Sequence, residues 1–172
     1  MMITEHPQFF TATILEWKAL LAPDKYKDII IESLRFLVNN GRVIINGFVI
    51  MPNHVHLIWQ MKAGISPSNV QRDFLKYTAQ QIKFDLQDHH PKVLDHFKVN
   101  LKDRQYQFWE HRPLSIPIYS SHVLEQKLNY IHNNPIQEKW KLADLPENYY
   151  YSSAKYYLLN VDDFGFITNY RM

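Results

Sequence analysis

The sequence of 172 residues contains no cysteine and only 4 glycines. The missing cysteines exclude a disulfide framework, a thiolate metal site and a cysteine nucleophile. The small number of glycines argues against a glycine-rich loop that cradles phosphate groups. Because a chain without cysteine suits a reducing compartment, we expect a cytoplasmic protein.

The sequence also has little excess charge and no long apolar run. Its 19 Lys and Arg residues against 17 Asp and Glu residues leave a net charge of +2. This balance excludes a general polyanion binder and confines any nucleic-acid site to a local patch. The longest uncharged run, between Arg42 and Lys62, contains too many polar residues to span a membrane. The first residues lack the basic segment of a signal peptide, and we expect no association with a membrane.

The hydrophobic pattern predicts both strands and helices. Aromatic and β-branched residues predict strands at 9–15, 43–51 and 54–61, and the short turn between the last two indicates an antiparallel hairpin. Apolar residues at helical spacing predict helices at 23–39, 69–86 and 121–134. A further strand is expected around 107–110, and a polar loop at 88–95.

This order of elements predicts an α+β fold. We expect a ferredoxin-like antiparallel sheet with helices packed on one face, and a further helix after that core. The length favours a single domain over residues 1–172. The tyrosine-rich part from about residue 146 is the least regular in its pattern.

Two histidines two positions apart are the first candidate for chemistry. His54 and His56 lie on a predicted strand, where residues two apart point to the same face, so their imidazoles converge. Two converging imidazoles can bind one divalent cation. Taken alone, a His-x-His tripeptide in a sheet is more often a pair of solvated or hydrogen-bonded histidines.

Tyr130 and Asn134 are the second candidate, because a spacing of four places them on one face of the third predicted helix. A phenol with its ordinary pKa of about 10 is a poor nucleophile near neutral pH. It can attack phosphorus when a metal polarises the phosphate, which would leave a phosphotyrosine at one DNA end and a hydroxyl at the other. Taken alone, the two residues fit equally simple structural roles, a core tyrosine and an asparagine that caps a helix.

Two separated runs together resemble a known family. The run GFVIMPNHVHLIW, residues 47–59, resembles the HUH motif (histidine, hydrophobic residue, histidine) of single-tyrosine transposases. In the run QFWEHRPLSIPIYSSHVLEQKLNYIHNNPI, residues 107–136, the letters YIHNNPI resemble the YIxxNPV signature that carries their tyrosine. The runs QRDFLKYTAQQI and YYYSSAKYY resemble a basic helix and a tyrosine-serine segment of the same group. The likeness covers roughly residues 40–160 and is greatest to the REP-associated tyrosine transposases, relatives of the small insertion-sequence transposases.

The resemblance implies a role for each matching residue. His54 and His56 match the metal-binding histidines, Tyr130 matches the nucleophile, and Asn134 matches the third metal ligand. The implied cofactor is a divalent cation, Mg²⁺ or Mn²⁺, and the implied substrate is single-stranded DNA that often lies next to a hairpin. The sequence departs from the family at residues 136–140, where it lacks a more basic segment and so one candidate DNA-contacting charge.

Five basic residues are candidates for DNA binding. They are Arg72, Lys76 and Lys83 on the second long helix, and Arg104 and Arg112 beside a cluster of aromatic residues. Basic residues interleaved with aromatic ones suit single strands, whose bases stack on aromatic rings. A solvated helix face and a packed aromatic core explain the same residues equally well.

We therefore predict a metal-dependent DNA transposase or endonuclease of the single-tyrosine HUH class, which cleaves hairpin-flanked single strands through a 5′-phosphotyrosine. One alternative is a domesticated relative that binds structured DNA without cutting it. Another is an unrelated metal hydrolase, which the lack of a nearby acidic pair disfavours. The tyrosines at 149–151 are rival nucleophiles, but none has an asparagine four residues later. A site built within one chain and a homodimer that exchanges catalytic helices both remain open.

Overall fold

The computed structural model describes residues 6–172 and contains one four-stranded antiparallel sheet. The strands are β1 (Gln8–Thr13), β2 (Val43–Ile50), β3 (His54–Met61) and β4 (Leu114–Pro117), in the order β2-β3-β1-β4. The helices are α1 (Asp24–Asn39), α2 (Pro67–His89), α3 (Pro91–Asp95), α4 (Ser121–Asn133) and α5 (Ala154–Leu159). This arrangement confirms the predicted α+β fold with a ferredoxin-like antiparallel sheet.

The two faces of the sheet are covered by different helices. Alternate residues of β3 point to opposite faces, and on one face Trp59 packs against Phe74 of α2, with ring centroids 5.8 Å apart. On the other face the ring of His56 lies 5.6 Å from the ring of Tyr130 in α4. The helix that follows the core therefore covers the face that carries the two histidines.

Serine caps define the starts of the two helices that matter most for the site. The Ser66 side chain accepts a hydrogen bond from the Asn69 amide, so α2 begins at Pro67, two residues before the predicted start. The Ser120 side chain accepts a hydrogen bond from the Val123 amide and caps α4, which begins at Ser121. The apolar stripe of α4, which includes Leu124, packs onto the sheet.

Two local predictions were wrong. Only one isolated backbone bridge, between Ile14 and Trp109, forms in the stretch predicted as a strand, and the fourth strand lies at Leu114–Pro117. The aromatic run there resembles a strand because Phe108 and Trp109 are buried core residues, although they lie in a loop. The predicted polar loop at 88–95 contains the short helix α3, which begins with a proline at its first position.

The C-terminal part of the chain closes the β2 edge of the sheet. The Ile50 amide donates to the Tyr151 carbonyl at 2.9 Å, and the Thr168 amide donates to the Ile45 carbonyl at 2.8 Å. An open edge strand would offer unpaired backbone groups to another chain, and these contacts occupy them. Within residues 6–172, the structure has no helix of the length and apolarity needed to cross a membrane.

Candidate active site

The two histidines of β3 converge on one face of the sheet. The ring centroids of His54 and His56 are 4.8 Å apart, and both side chains are buried. Strand β1 supports them, since Thr11 lies opposite His56 in the register and its Oγ1 is 2.8 Å from His56 Nδ1. The ring of Phe9 stacks on His56 with centroids 5.3 Å apart. The neighbouring strand therefore fixes the orientation of the His56 ring.

Helix α4 brings the other two predicted site residues to the same place. Asn134 follows the last residue of α4 but keeps helical backbone angles (φ −57°, ψ −47°), so it shares a helical face with Tyr130. The Oδ1 atom of Asn134 lies 3.0 Å from His54 Nε2. Tyr130 is half exposed, and its ring faces His56. All four residues thus meet within one chain, although 73 positions or more separate the strand pair from the helix pair.

Burial keeps both imidazoles neutral. It lowers the pKa of His56 to about 3, with smaller contributions from the charges of His54 and Lys127. Burial also lowers the pKa of His54, helped by the charge of Lys139 and opposed by Asn134 Oδ1, which would accept a hydrogen bond from the protonated ring. Since only the neutral form of imidazole binds a metal, both side chains are in the metal-binding state at neutral pH.

The hydrogen bonds around His54 fit a cation at its Nε2 atom. Asn53 Nδ2 donates to the Trp17 carbonyl, and this bond directs Asn53 Oδ1 toward His54 Nδ1 at 2.7 Å. A neutral imidazole carries one N–H, and the bond to Asn53 uses it. The Nε2 lone pair and Asn134 Oδ1 then point at each other as two acceptors, an arrangement that a bound cation would satisfy. His54, His56 and Asn134 therefore suit a divalent cation, with both Nδ1 atoms held by partners in the protein.

Four residues that the sequence analysis did not assign also surround the histidines. The rings of Trp17 and Trp140 lie 6.4 and 6.1 Å from the ring of His54. The Lys127 ammonium lies 5.0 Å from the centroid of the Phe9 ring, and Lys139 is close enough to lower the pKa of His54. The helical spacing of Lys127 from Tyr130 was a signal for the first lysine. Lys139 also supplies a positive charge within the segment that departs from the family's basic pattern.

A buried polar contact fastens α4 to the sheet. His132 Nε2 lies 2.7 Å from Ser153 Oγ, which also accepts a hydrogen bond from the Phe48 amide at 2.9 Å. The same helix comes so close to β2 that a Cβ on Gly47 would overlap the Leu128 side chain. Burial lowers the pKa of His132 to about 4, so this histidine is also neutral. Ser153, the second serine of the YYYSSAKYY segment, thus helps to place the helix that carries Tyr130.

The five predicted DNA-binding residues line one groove. This groove, of about 620 Å³, lies between α2 and residues 103–113, and its lining includes Arg72, Lys76, Lys83, Arg104 and Arg112. Because α2 packs on the Trp59 face, the groove lies on the opposite side of the sheet from the histidines. We refer to it as the basic groove.

The cations of the basic groove differ in how far they are already paired. Arg72 and Arg104 each lie near the aspartate next to them in the sequence, at 3.3 and 3.1 Å. Lys83 lies 5.8 Å from the centroid of the Tyr106 ring. Trp109 forms part of the groove wall and donates its indole N–H to Thr78 Oγ1 at 3.2 Å. The alternative of core packing therefore holds for Trp109, while the basic side chains surround open space.

The rival explanations find less support in the geometry. Among residues 6–172, no group of three or more histidine, cysteine, aspartate or glutamate side chains is placed to hold a metal. Tyr149 donates its hydroxyl to the Ile50 carbonyl, Tyr151 donates to Asp28, and burial raises the pKa of both phenols. Two of the three rival tyrosines are thus engaged elsewhere.

Comparisons with known proteins agree with the observed fold. A REP-associated tyrosine transposase bound to a REP hairpin aligns with a TM-score of 0.66 and 19% identity, covering 90% of this chain and 80% of the other. A candidate transposase from Deinococcus radiodurans R1 aligns with a TM-score of 0.50 and 16% identity, covering 77% of this chain and 92% of the other. No curated protein matches the sequence.

One family model matches the sequence itself. The model described as "Transposase IS200 like" matches residues 16–134, more than half of the chain. The matched range includes His54, His56 and Tyr130 and ends at Asn134. The chain therefore belongs to the IS200-like transposase family, as the resemblance of its two motifs predicted.

Proposed function

We propose that this transposase cleaves and transfers single-stranded DNA through a covalent bond to Tyr130. The observation that carries the proposal is the meeting of two distant segments. Strand β3 supplies two buried, neutral imidazoles, and α4 supplies an exposed phenol together with an amide oxygen 3.0 Å from one of those imidazoles. A module that only binds DNA has no need of this arrangement.

Tyr130 is the nucleophile in the proposed reaction. Its phenolic oxygen attacks the scissile phosphorus, and the phenolic proton passes to solvent. The new O–P bond forms as the bond from phosphorus to the 3′ oxygen breaks, and that oxygen takes up a proton to become a 3′-hydroxyl. The resulting 5′-phosphotyrosine keeps the energy of the phosphodiester, so a 3′-hydroxyl can later attack it and release Tyr130.

The surrounding residues prepare the site for this reaction. His54, His56 and Asn134 would hold a divalent cation, Mg²⁺ or Mn²⁺, and such an ion would polarise the phosphate. Lys127 and Lys139 place two positive charges beside the histidines, where they attract the phosphodiester backbone.

The basic groove is the proposed binding surface for the rest of the DNA. Its five cations suit phosphate contacts, and Tyr106 offers an aromatic ring beside Lys83. The similar structure bound to a REP hairpin supports a substrate that contains a hairpin. The sheet separates this groove from Tyr130, so the proposed substrate is long enough to reach both faces.

A covalent-capture experiment tests the proposal. The protein is incubated with Mg²⁺ or Mn²⁺ and a labelled single strand that carries a hairpin from the DNA flanking its own gene. A denaturing gel then shows whether label and protein migrate together. We expect an adduct that requires the metal and disappears in the Tyr130→Phe and His54→Ala variants.

Tyr150→Phe is the matched control, because Tyr150 is also half exposed but lies in the C-terminal part of the chain, against Phe164. This variant should form the adduct as the wild type does. An adduct that persists in Tyr130→Phe would contradict the assignment of the nucleophile. Tight binding of the hairpin without any adduct in the wild type would support the alternative, a domesticated binder of structured DNA.

A further inference from the structure

Trp17 is an exposed indole beside His54. Its side chain is 64% exposed, and its ring centroid lies 6.4 Å from that of His54. Both Glu16 (φ 55°) and Trp17 (φ 58°) have left-handed backbone conformations, which residues other than glycine rarely adopt. Strained conformations of this kind persist where surrounding contacts enforce them, and they concentrate at functional sites.

Three hydrogen bonds enforce the conformation of this short segment. The Glu16 amide donates to Glu110 Oε1 at 2.7 Å, and the Trp17 amide donates to the Ile14 carbonyl at 2.9 Å. Asn53 Nδ2 donates to the Trp17 carbonyl at 3.3 Å, while Asn53 Oδ1 faces His54 Nδ1. One asparagine side chain therefore connects the Trp17 backbone to the His54 ring. The indole is held in a defined place relative to His54, yet most of its surface stays open.

The surroundings of Trp17 suit one class of ligand. The ring of Trp140 is also close to that of His54, with centroids 6.1 Å apart, and Lys139 adds a positive charge near His54. Aromatic rings next to cations bind single-stranded nucleic acid, because the rings stack on unpaired bases while the cations contact phosphates. A base in a duplex is already stacked on both sides and offers no free face to an indole.

We propose that Trp17 is a stacking platform for one unpaired base of the DNA strand next to the scissile phosphate. The identity of the strand rests on the proposed function. The stacked base would hold the adjacent phosphate over His54 and within reach of Tyr130. Trp17 is in this sense a positioning residue that also contributes to binding.

Binding measurements on a variant that cannot cleave test the proposal. The probe is the fluorescein-labelled hairpin strand described above, and all variants carry Tyr130→Phe. We expect Trp17→Ala to raise the Kd about tenfold, which corresponds to about 1.4 kcal/mol. Trp17→Phe keeps an aromatic face and should stay within about threefold of the parent. Tyr150→Ala is the matched control, since Tyr150 is 52% exposed but packs against Phe164 in the C-terminal part of the chain.

A second measurement locates the base. Abasic sites are placed one at a time along the single-stranded part of the probe. At one position, the loss of the base should raise the Kd of the Tyr130→Phe parent. The Kd of the Trp17→Ala variant should stay unchanged there, because the indole that stacks on this base is already missing. The intrinsic tryptophan fluorescence of the parent protein should also fall when the intact probe binds. The Trp17→Phe variant should lose the part of this quenching that comes from Trp17.

Each outcome decides between the proposals. A uniform penalty of Trp17→Ala on every abasic probe, or an unchanged Kd, would overturn the stacking role. A variant that binds normally but loses self-association at high protein concentration would assign Trp17 to a protein contact instead. If the wild type forms no adduct while Trp17→Ala still weakens binding at one base, the proposed chemistry fails and the stacking site stands.

Discussion

The imidazole of His132 lies 2.7 Å from the hydroxyl of Ser153, which also accepts a hydrogen bond from the backbone N–H of Phe48 in β2. The contact is buried and connects three parts of the chain: the helix with Tyr130, the sheet next to the histidines, and the C-terminal segment. A shift of α4 by even one ångström would displace Asn134 from His54. Small displacements of positioned groups are known to cost large factors in rate.

We predict that His132→Phe lowers the rate of adduct formation about tenfold or more, because the phenyl ring keeps the volume but loses the bond to Ser153. His132→Gln can place an amide N–H near the position of Nε2, and this variant should stay within about threefold of the wild type. Hydrogen exchange of residues 121–134 provides an independent measurement, and we expect faster exchange only in His132→Phe. Equal exchange and equal rates in both variants would show that the bond does not position the helix.

The close approach of α4 to β2 at Gly47 leads to a second prediction, which concerns the stability of the fold. A Cβ at this position would overlap the Leu128 side chain and lie 3.2 Å from Ser153 Oγ. Gly47→Ala should therefore lower the free energy of unfolding by about 1–3 kcal/mol, the range for overpacking a core. Leu128→Ala alone should cost about 2–5 kcal/mol.

The pair of substitutions tests whether the two residues share one space. In the double variant Gly47→Ala/Leu128→Ala, the new methyl group occupies part of the cavity left by the leucine. Denaturant unfolding should show a loss smaller than the sum of the single losses by about 1 kcal/mol. Additive losses would mean that the backbone of β2 moves away instead.

The orientation of His56 depends on Thr11, and this contact predicts a change in metal affinity. With Nδ1–H donating to Thr11 Oγ1 at 2.8 Å, His56 presents Nε2 to a cation. Thr11→Val removes the acceptor at nearly constant volume and should weaken Mn²⁺ binding about 10–100-fold. Thr11→Ser keeps the hydroxyl and should restore most of the affinity. Calorimetric titration with Mn²⁺ measures all three proteins, and wild-type affinity in Thr11→Val would argue against His56 as a ligand.

The sequence contained enough information for the fold class and for each pair of candidate residues, while the meeting of the two pairs was implied by the family resemblance. Strands β2 and β3 have continuous apolar runs and a short turn between them, and α4 has an unbroken helical pattern with a serine cap. The His-x-His and Tyr-x-x-x-Asn spacings each place two side chains on one face. These patterns are local, so they can be recognised without knowledge of how distant segments pack.

The parts that could not be predicted depend on contacts between distant segments. Ser153 and Phe48 are 105 positions apart, and nothing near either residue signals their hydrogen bond. Trp17 occupies a strained turn that no periodic pattern describes. The misplaced fourth strand has the same origin, because Phe108 and Trp109 have the composition of a strand but lie in a loop, where Trp109 packs against Phe74 of α2.

The basic groove predicts a dependence on salt. Binding of a single strand should weaken with rising salt, and each lost phosphate contact should reduce the slope of log K against log salt by about 0.7. We expect Lys76→Ala and Lys83→Ala each to reduce the slope by roughly this amount on a Tyr130→Phe background. Lys155→Ala removes the same charge from α5, where Lys155 pairs with Asp163 at 2.9 Å, and should leave the slope unchanged. Equal slopes in all variants would place the DNA outside the groove.

The ion pair between Arg42 and Asp73 predicts a dependence of stability on pH. Arg42 Nη1 lies 2.9 Å from Asp73 Oδ2, and this hydrogen bond is the largest cause that lowers the pKa of the Asp73 carboxyl in the folded protein. Because the folded pKa lies below the unfolded one, the pair stabilises the protein above the unfolded pKa of about 3.9. This contribution is lost as the pH falls through the folded pKa.

Since the pair is partly exposed, Asp73→Asn should lower the free energy of unfolding by only about 0.2–1 kcal/mol at pH 7. Urea unfolding at pH 7 and pH 3 measures the difference, which should shrink at the lower pH; a difference that stays constant would show that the asparagine disturbs packing rather than charge.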